Sequence, residues 1–224
     1  MANTLKFGNG NWATKEGSTL AYNDENGNFK PLPFDFSRAS SATVINKDGL
    51  IEEVGSGQPR IDYKDDSNGA LLLEPSRTNI ITYSEDFENF FNTTEINLTS
   101  NYAVSPKGTQ NANKVSFPSF SNSMYKSSLN YTGTHNVSFY VKGEGSNIGK
   151  TFNLRLQGTS TDQYLTVPIT EEWVRVEYNT EGLRTFEITN RYNTTIGDGS
   201  LILYGFQLEQ GSYATSYIPT QGSA

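Results

Sequence analysis

An all-β fold is the class this sequence predicts, and three observations carry it. Several stretches alternate apolar and polar residues with a period of two. The 20 glycines, 8 prolines and abundant Asn, Ser and Thr punctuate the chain at short intervals, and these residues favour turns over helix interiors. The apolar content is rich in ring residues, with 13 Tyr, 13 Phe and 2 Trp among 224 residues. Long strands with one buried face, stacked as antiparallel sheets, satisfy all three.

Residues 1–32 form a leader. Its large apolar residues, Leu5, Phe7, Trp12, Leu20, Tyr22 and Phe29, keep neither a two-residue nor a 3.6-residue period, and Gly8, Gly10, Gly17 and Gly27 interrupt them. Such a segment cannot bury its own apolar groups. It is expected either to order on a partner chain or on the following segment, or to form an edge hairpin of the same chain.

Residues 33–86 read as short strands joined by sharp turns. Residues 37–45 and 50–54 are β-prone, and the turn between them contains Asp48-Gly49, a hairpin signal. An extended piece spans 59–63, and the apolar run Ala70-Leu71-Leu72-Leu73 suits a strand buried on both sides. Subunit contacts are expected in 37–83, which has few residues for a core of its own.

Residues 87–224 predict one antiparallel jelly-roll β-sandwich. Strands are expected over 95–98, 113–117, 123–129, 136–141, 151–157, 164–167, 173–178, 184–189 and 201–208. The inward sets are Val137, Phe139 and Val141; Phe152, Leu154 and Leu156; Val174, Val176 and Tyr178; and Ile202, Tyr204, Phe206 and Leu208. Each buried Phe or Leu contributes roughly 1.5–3 kcal/mol, enough in sum for a core.

Charge and composition exclude several function classes. The formal net charge is −7 with no Lys/Arg cluster, which argues against nucleic acid as a partner. The absence of cysteine removes disulfides and thiol catalysis. The N-terminus lacks an apolar signal core, and no stretch is long and apolar enough to span a membrane.

No catalytic residue is expected. The acidic pairs Glu52-Glu53, Asp65-Asp66 and Glu171-Glu172 point to opposite faces if extended, unlike the facing carboxylates of a glycosidase. The single histidine, His135, reads as a surface loop residue at a strand start. Sugar recognition is the sharper expectation. It needs an aromatic face and planar polar side chains, and the faces opposite the apolar sets offer Tyr140, Arg155, Gln157, Trp173 and Arg175 as glycan-binding candidates. If Tyr140, Arg155 and Gln157 lie on neighbouring strands, they line a polar groove with one aromatic platform. The alternative is a solvated face, or one packed on another subunit.

Four blocks carry a family resemblance. SRASSATVINKDGLIEEV from Ser37, QPRIDY from Gln58, GALLLEPSRTNIITYSEDF from Gly69 and LYGFQLEQGSYATSYIPT from Leu203 resemble blocks of tailed-bacteriophage head-fibre, tail-fibre and virion decoration proteins. There the segment precedes a jelly-roll domain similar to carbohydrate-binding modules. SPKGTQNANKV, HNVSFYVKG and PITEEWVRVEY are similar to blocks of that domain. The resemblance implies a virion structural protein. Residues 1–32 would attach it to capsid or tail proteins, residues 33–86 would connect or oligomerise it, as a homotrimer by analogy with fibres, and residues 87–224 would meet host or surface glycans. It leaves open a decoration protein without a ligand and, less favoured, a polysaccharide depolymerase. It also implies a possible structural Ca²⁺ held by Glu85 or Asp86 with Glu209; no other cofactor is expected. One departure is Phe90-Phe91, where such proteins often carry a Trp; this suits a core role.

Overall fold

Period-two alternation becomes long strands wherever the apolar face of a pleat finds cover. In the computed structural model the described residues are 3–5, 12–15, 19–23, 26, 28–31, 36–159 and 161–223. The strands in chain order are β1 (Asn3–Leu5), β2 (Trp12–Lys15), β3 (Thr19–Asn23), β4 (Phe29–Pro31), β5 (Ala42–Ile45), β6 (Ile51–Val54), β7 (Ile61–Asp62) and β8 (Ala70–Leu73). A short helix, α1 (Phe87–Phe90), follows. Then come β9 (Asn97–Val104), β10 (Gln110–Ser116), β11 (Ser123–Lys126), β12 (Tyr131–Lys142), β13 (Thr151–Gln157), β14 (Asp162–Pro168), β15 (Val174–Leu183), β16 (Thr185–Thr189) and β17 (Ser200–Gln210). The chain divides into two compact units: Met1–Ser76 with Thr215–Ile218, and Arg77–Ala214 with Pro219–Ala224. The division falls at Ser76, ahead of the boundary at residue 86 read from the sequence.

In the first unit β5 and β6 form the hairpin that Asp48-Gly49 announces, with Ala42 opposite Val54. Asn46 fixes its turn, its side-chain oxygen accepting from the backbone N–H of Asp48 and of Leu50, each at 3.0 Å. Strand β8 lies between β1 and β7, and Leu71 is fully buried. The leader is strand-forming: β2, β3 and β4 make an antiparallel sheet, and β1 pairs with β8 of the same chain. The expectation that the leader cannot bury Leu5, Phe7, Trp12, Leu20, Tyr22 and Phe29 by itself concerns side chains outside the described residues. A buried ion pair, Arg60 to Glu74 at 2.6 Å, gathers the returning C-terminal stretch. Glu74 accepts from the Ser216 backbone N–H at 2.8 Å and hydroxyl at 2.7 Å.

The second unit is a jelly roll. One sheet has the order β15-β12-β17-β10-β9, and the other β11-β16-β13-β14. All pairings are antiparallel. Successive strands from β10 onward alternate between sheets until β13 and β14 share one, the double Greek key of this architecture. The inward faces meet in one core. Phe206 lies at its centre, ring centroids 4.9 Å from Phe87, 4.8 Å from Phe91, 4.8 Å from Phe139 and 5.4 Å from Phe186. Phe91 is buried there and Phe90 packs against it, the core role expected of that pair.

Strand β17 departs from simple alternation. Leu201, Leu203, Phe206 and Leu208 face the core, whereas Ile202 and Tyr204 lie beside Lys142 and Tyr140 on the outer face. The expected inward set of Ile202, Tyr204, Phe206 and Leu208 is thus split. A bulge causes the switch. Gly205 has φ +66°, and the β12 register slips between Ser138 and Tyr140, so an extra residue reverses the faces. Beyond the bulge β17 has no β10 beside it, and residues 79–84 take its place. Ile80 N–H donates to Leu208 O at 2.7 Å, and Phe206 N–H to Ser84 O at 3.0 Å. The buried Asn79 side chain imitates a strand neighbour, donating to Phe206 O at 3.0 Å and accepting from Leu208 N–H at 3.0 Å. Backbone groups left orphaned by a bulge need such partners.

His135 is corrected too. It lies within β12 and is buried, its ring 5.4 Å from that of Tyr131 and Nδ1 3.0 Å from Gly133 O. Val174, expected inward, stands exposed at the start of β15.

Candidate functional site

The outer face of the four-stranded sheet is built from the residues that alternate with its core set. The register sets Tyr125, Glu187, Arg155 and Tyr164 side by side, then Ser123, Thr189, Asn153 and Thr166, then Thr185, Gln157 and Asp162. Tyr164 sits on edge strand β14 and is 47% exposed; Tyr192, on the loop after β16, is 43% exposed. Their ring centroids are 4.6 Å apart with planes at 61°, so the two rings form an open notch.

That notch is held rigidly. Tyr192 and Asn193 both have left-handed backbones, φ +62° and +61°, an uncommon conformation for residues with a Cβ. The buried Asn153 side chain holds the loop there, its Nδ2 donating to Arg191 O at 2.7 Å and also to Tyr192 O. Thr166 hydroxyl donates to Asn153 Oδ1 at 3.2 Å and so fixes the amide orientation. Thr194 hydroxyl closes the turn onto Asn190 O at 2.7 Å. Backbone strain held by surrounding bonds is a feature of ligand-binding sites.

Charges run across this face as one paired chain. Arg155 donates to Asp162 at 2.7 Å and to Glu187 at 3.0 Å, and Arg191 meets Glu187 at 3.4 Å and Glu95 at 3.1 Å. Burial pulls the Arg155 guanidinium down, but the hydrogen bonds to Asp162 and Glu187 outweigh it, so its pKa is raised. The guanidinium carbon lies 5.8 Å from the Tyr164 ring centroid, a cation–π distance. Gln157 Oε1 accepts from the Thr185 hydroxyl at 2.9 Å.

The five glycan candidates do not share a surface. Arg155 and Gln157 are on β13 of the four-stranded sheet, whereas Tyr140 on β12 and Arg175 on β15 belong to the other sheet. Successive strands β12 and β13 lie in different layers of a jelly roll, so their outward side chains point away from each other. Tyr140 is only 9% exposed. Its ring lies 6.2 Å from that of Tyr204 and 5.6 Å from the Arg175 guanidinium carbon. Arg175 itself donates to the Ser138 hydroxyl at 3.0 Å. Trp173 donates through its indole to Val104 O at 3.2 Å, and Lys142 Nζ sits 5.5 Å over its ring. Ser138, Tyr204, Gln207 and Glu209 on that outer face are fully buried.

The three carboxylates of the expected calcium site have separate tasks. Glu85 accepts from the Tyr204 hydroxyl and from the Asn111 amide, both at 2.8 Å. Asp86 caps α1, accepting from the Asn89 N–H. Glu209 accepts from the Gln207 amide at 3.1 Å. Among the described residues no three metal-binding side chains are grouped to hold an ion.

The sequence pattern missed Tyr164, Tyr192 and Asp162. Tyr164 was recoverable, since alternation in 164–167 sets it opposite Leu165 and Val167. Tyr192 was not, because its exposure depends on a left-handed turn held by Asn153 on the neighbouring strand β13, far away in the sequence.

No protein-family model matches the sequence, and neither does any curated protein. Solved structures similar to the chain include the CBM22-1 xylan-binding domain from Paenibacillus barcinonensis Xyn10C. It is 14% identical, covers 62% of this chain and 100% of that one, and has a TM-score of 0.41. The Clostridium thermocellum xylanase with CBM22-1 and GH10 modules is 16% identical, covering 64% of this chain and 29% of that one at 0.42. The enzymatically active domain of bacteriophage CBA120 tailspike protein 4 is 10% identical, covering 55% and 20% at 0.37. At these scores the likenesses carry no argument about ligand or activity.

Proposed function

We propose that this chain is a non-catalytic structural subunit of a bacteriophage particle, a head-fibre, tail-fibre or decoration protein, whose jelly roll meets glycans on a host or other surface. The blocks at 37–87 and 203–220 support the virion assignment by their resemblance to such proteins. The observation that carries glycan contact is the Tyr164–Tyr192 notch. Two exposed rings stand on a rigid sheet beside side chains with planar polar groups, Arg155, Asp162 and Gln157. Sugars are recognised by C–H contact with aromatic faces and by hydrogen bonds to fixed polar groups, the combination found in small-molecule sites. Repetition of the subunit on a particle, as a homotrimer or in larger number, would turn weak contacts into avidity.

A pull-down of the full chain with host-surface polysaccharide tests this reading. Wild type is expected to bind, and a Tyr164→Ala, Tyr192→Ala double variant with an unchanged circular dichroism spectrum is expected not to. Absence of binding by the wild-type oligomer would leave particle decoration without a ligand as the function.

A further inference from the structure

We infer that the notch takes a neutral, soluble glycan at or near a chain end, and neither an acidic polysaccharide nor the flat face of an insoluble one. This rests on the glycan-contact reading above and specifies its ligand.

Charge decides against acidic sugars. A uronate, sulfate or phosphate needs a cation with donors to spare. The cations of this face, Arg155 and Arg191, are each shared between two carboxylates. Two cations among three acids, Asp162, Glu187 and Glu95, leave the network with one net negative charge. The protein as a whole carries −7. A polyanion would therefore meet repulsion, with neither Arg155 nor Arg191 free to offset it.

Ring geometry decides against a flat crystalline surface. Stacking on such a surface needs rings that are coplanar and stand clear of their surroundings. The planes of Tyr164 and Tyr192 meet at 61°, so one sugar face can lie on one ring only while the other ring closes its side. That shape suits a single pyranose ring. Tyr164 is on β14, the outermost strand of its sheet, so a chain end or a bend can enter from the side.

The polar neighbours fit sugar hydroxyls. Asp162 receives the Arg155 guanidinium through one oxygen, Oδ2, and its other oxygen is bonded to no described residue. That oxygen can accept from a hydroxyl as a charge-assisted bond. The Gln157 amide, its oxygen held by Thr185, presents Nε2–H donors in the neighbouring register position.

The test is titration of the full chain against three probes at low and high salt: neutral soluble gluco-, xylo-, galacto- and manno-oligosaccharides, alginate as a polyanion, and microcrystalline cellulose. The expected result is binding to at least one neutral oligosaccharide, insensitive to salt because no ion pair forms with the ligand. Affinity should fall at least tenfold in Tyr164→Phe,Tyr192→Ala and in Asp162→Asn, each shown folded by its melting curve. Binding to alginate that weakens with salt, or to cellulose but not to oligosaccharides, would overturn the inference while sparing glycan contact. Neutral-sugar binding untouched by these variants would overturn the site. No binding to any probe would overturn both.

Discussion

Asn153→Ala is the perturbation that separates a preorganised site from a merely exposed pair of tyrosines. Asn153 touches no ligand in the proposed arrangement, because it is buried beneath the loop. Its amide nitrogen holds Arg191 O and Tyr192 O, and its oxygen accepts from Thr166. Truncation removes these bonds, each worth about 1 kcal/mol net. The freed carbonyls lie in a surface loop and can reach water, which keeps the total near about 2–3 kcal/mol rather than higher. Urea unfolding should show a lower midpoint with an unchanged slope. Left-handed Tyr192 and Asn193 would then relax, since that conformation costs about 1–2 kcal/mol per residue with a Cβ. Neutral-glycan affinity should consequently fall about tenfold; a factor of ten corresponds to about 1.4 kcal/mol. Titration of the folded variant by calorimetry measures that. A variant destabilised as expected but binding like wild type would refute the link between loop strain and site geometry.

Three further outcomes follow from the same geometry. Phe206→Ala should destabilise the sandwich by about 3–5 kcal/mol in urea unfolding, because its ring is fully buried and meets four other Phe rings; a loss under about 2 kcal/mol would mean the core collapses around it. Glu74→Ala should leave the buried Arg60 cation unpaired at a cost of about 3–5 kcal/mol and release the Ser216 contacts, seen as new protease cleavage near residue 216. The Lys114–Glu144 pair gives a pH dependence. A hydrogen bond from Lys114 lowers the Glu144 pKa against desolvation, and the same bond raises that of Lys114. The Glu144 contribution is present above about pH 4.3, its unfolded value, and is lost as pH falls through the lowered folded one; the Lys114 contribution is present below about pH 10.4 and is lost as pH rises through the raised folded one. For this exposed pair the stake is under about 1 kcal/mol, and melting curves of Glu144→Gln should lose the acid-side slope.

The strands of the sandwich were legible because their signal is local. Residues 151–157 match β13 to the residue, and Phe152, Leu154 and Leu156 face the core as alternation requires. What was hidden depends on relations between distant residues. Alternation alone cannot say that β12 and β13 belong to different sheets, so it left open whether Tyr140 and Arg155 are neighbours. Nor can it say that Tyr204 and Asn111 both donate to Glu85. His135 was misplaced for a related reason: β12 begins at Tyr131, several residues before its apolar alternation does.

The bulge at Gly205 shows how one backbone feature divides the work between the two outer faces. Without it, Tyr204 would share the core face with Phe206, and the outer face of the five-stranded sheet would lack its central ring. With it, Tyr204 turns outward to bond Glu85, and β17 beyond the bulge opens toward residues 79–84, where Asn79 satisfies the Phe206 and Leu208 backbone. The Tyr204 hydroxyl and the Asn79 amide are thereby committed to holding the fold through bonds made in a buried setting. The four-stranded sheet has no such bulge between β13 and its neighbours. Its outer rows stay in register, its charges pair along the surface, and its two tyrosines remain exposed. Recognition is therefore expected on the regular sheet, and structural cohesion on the irregular one.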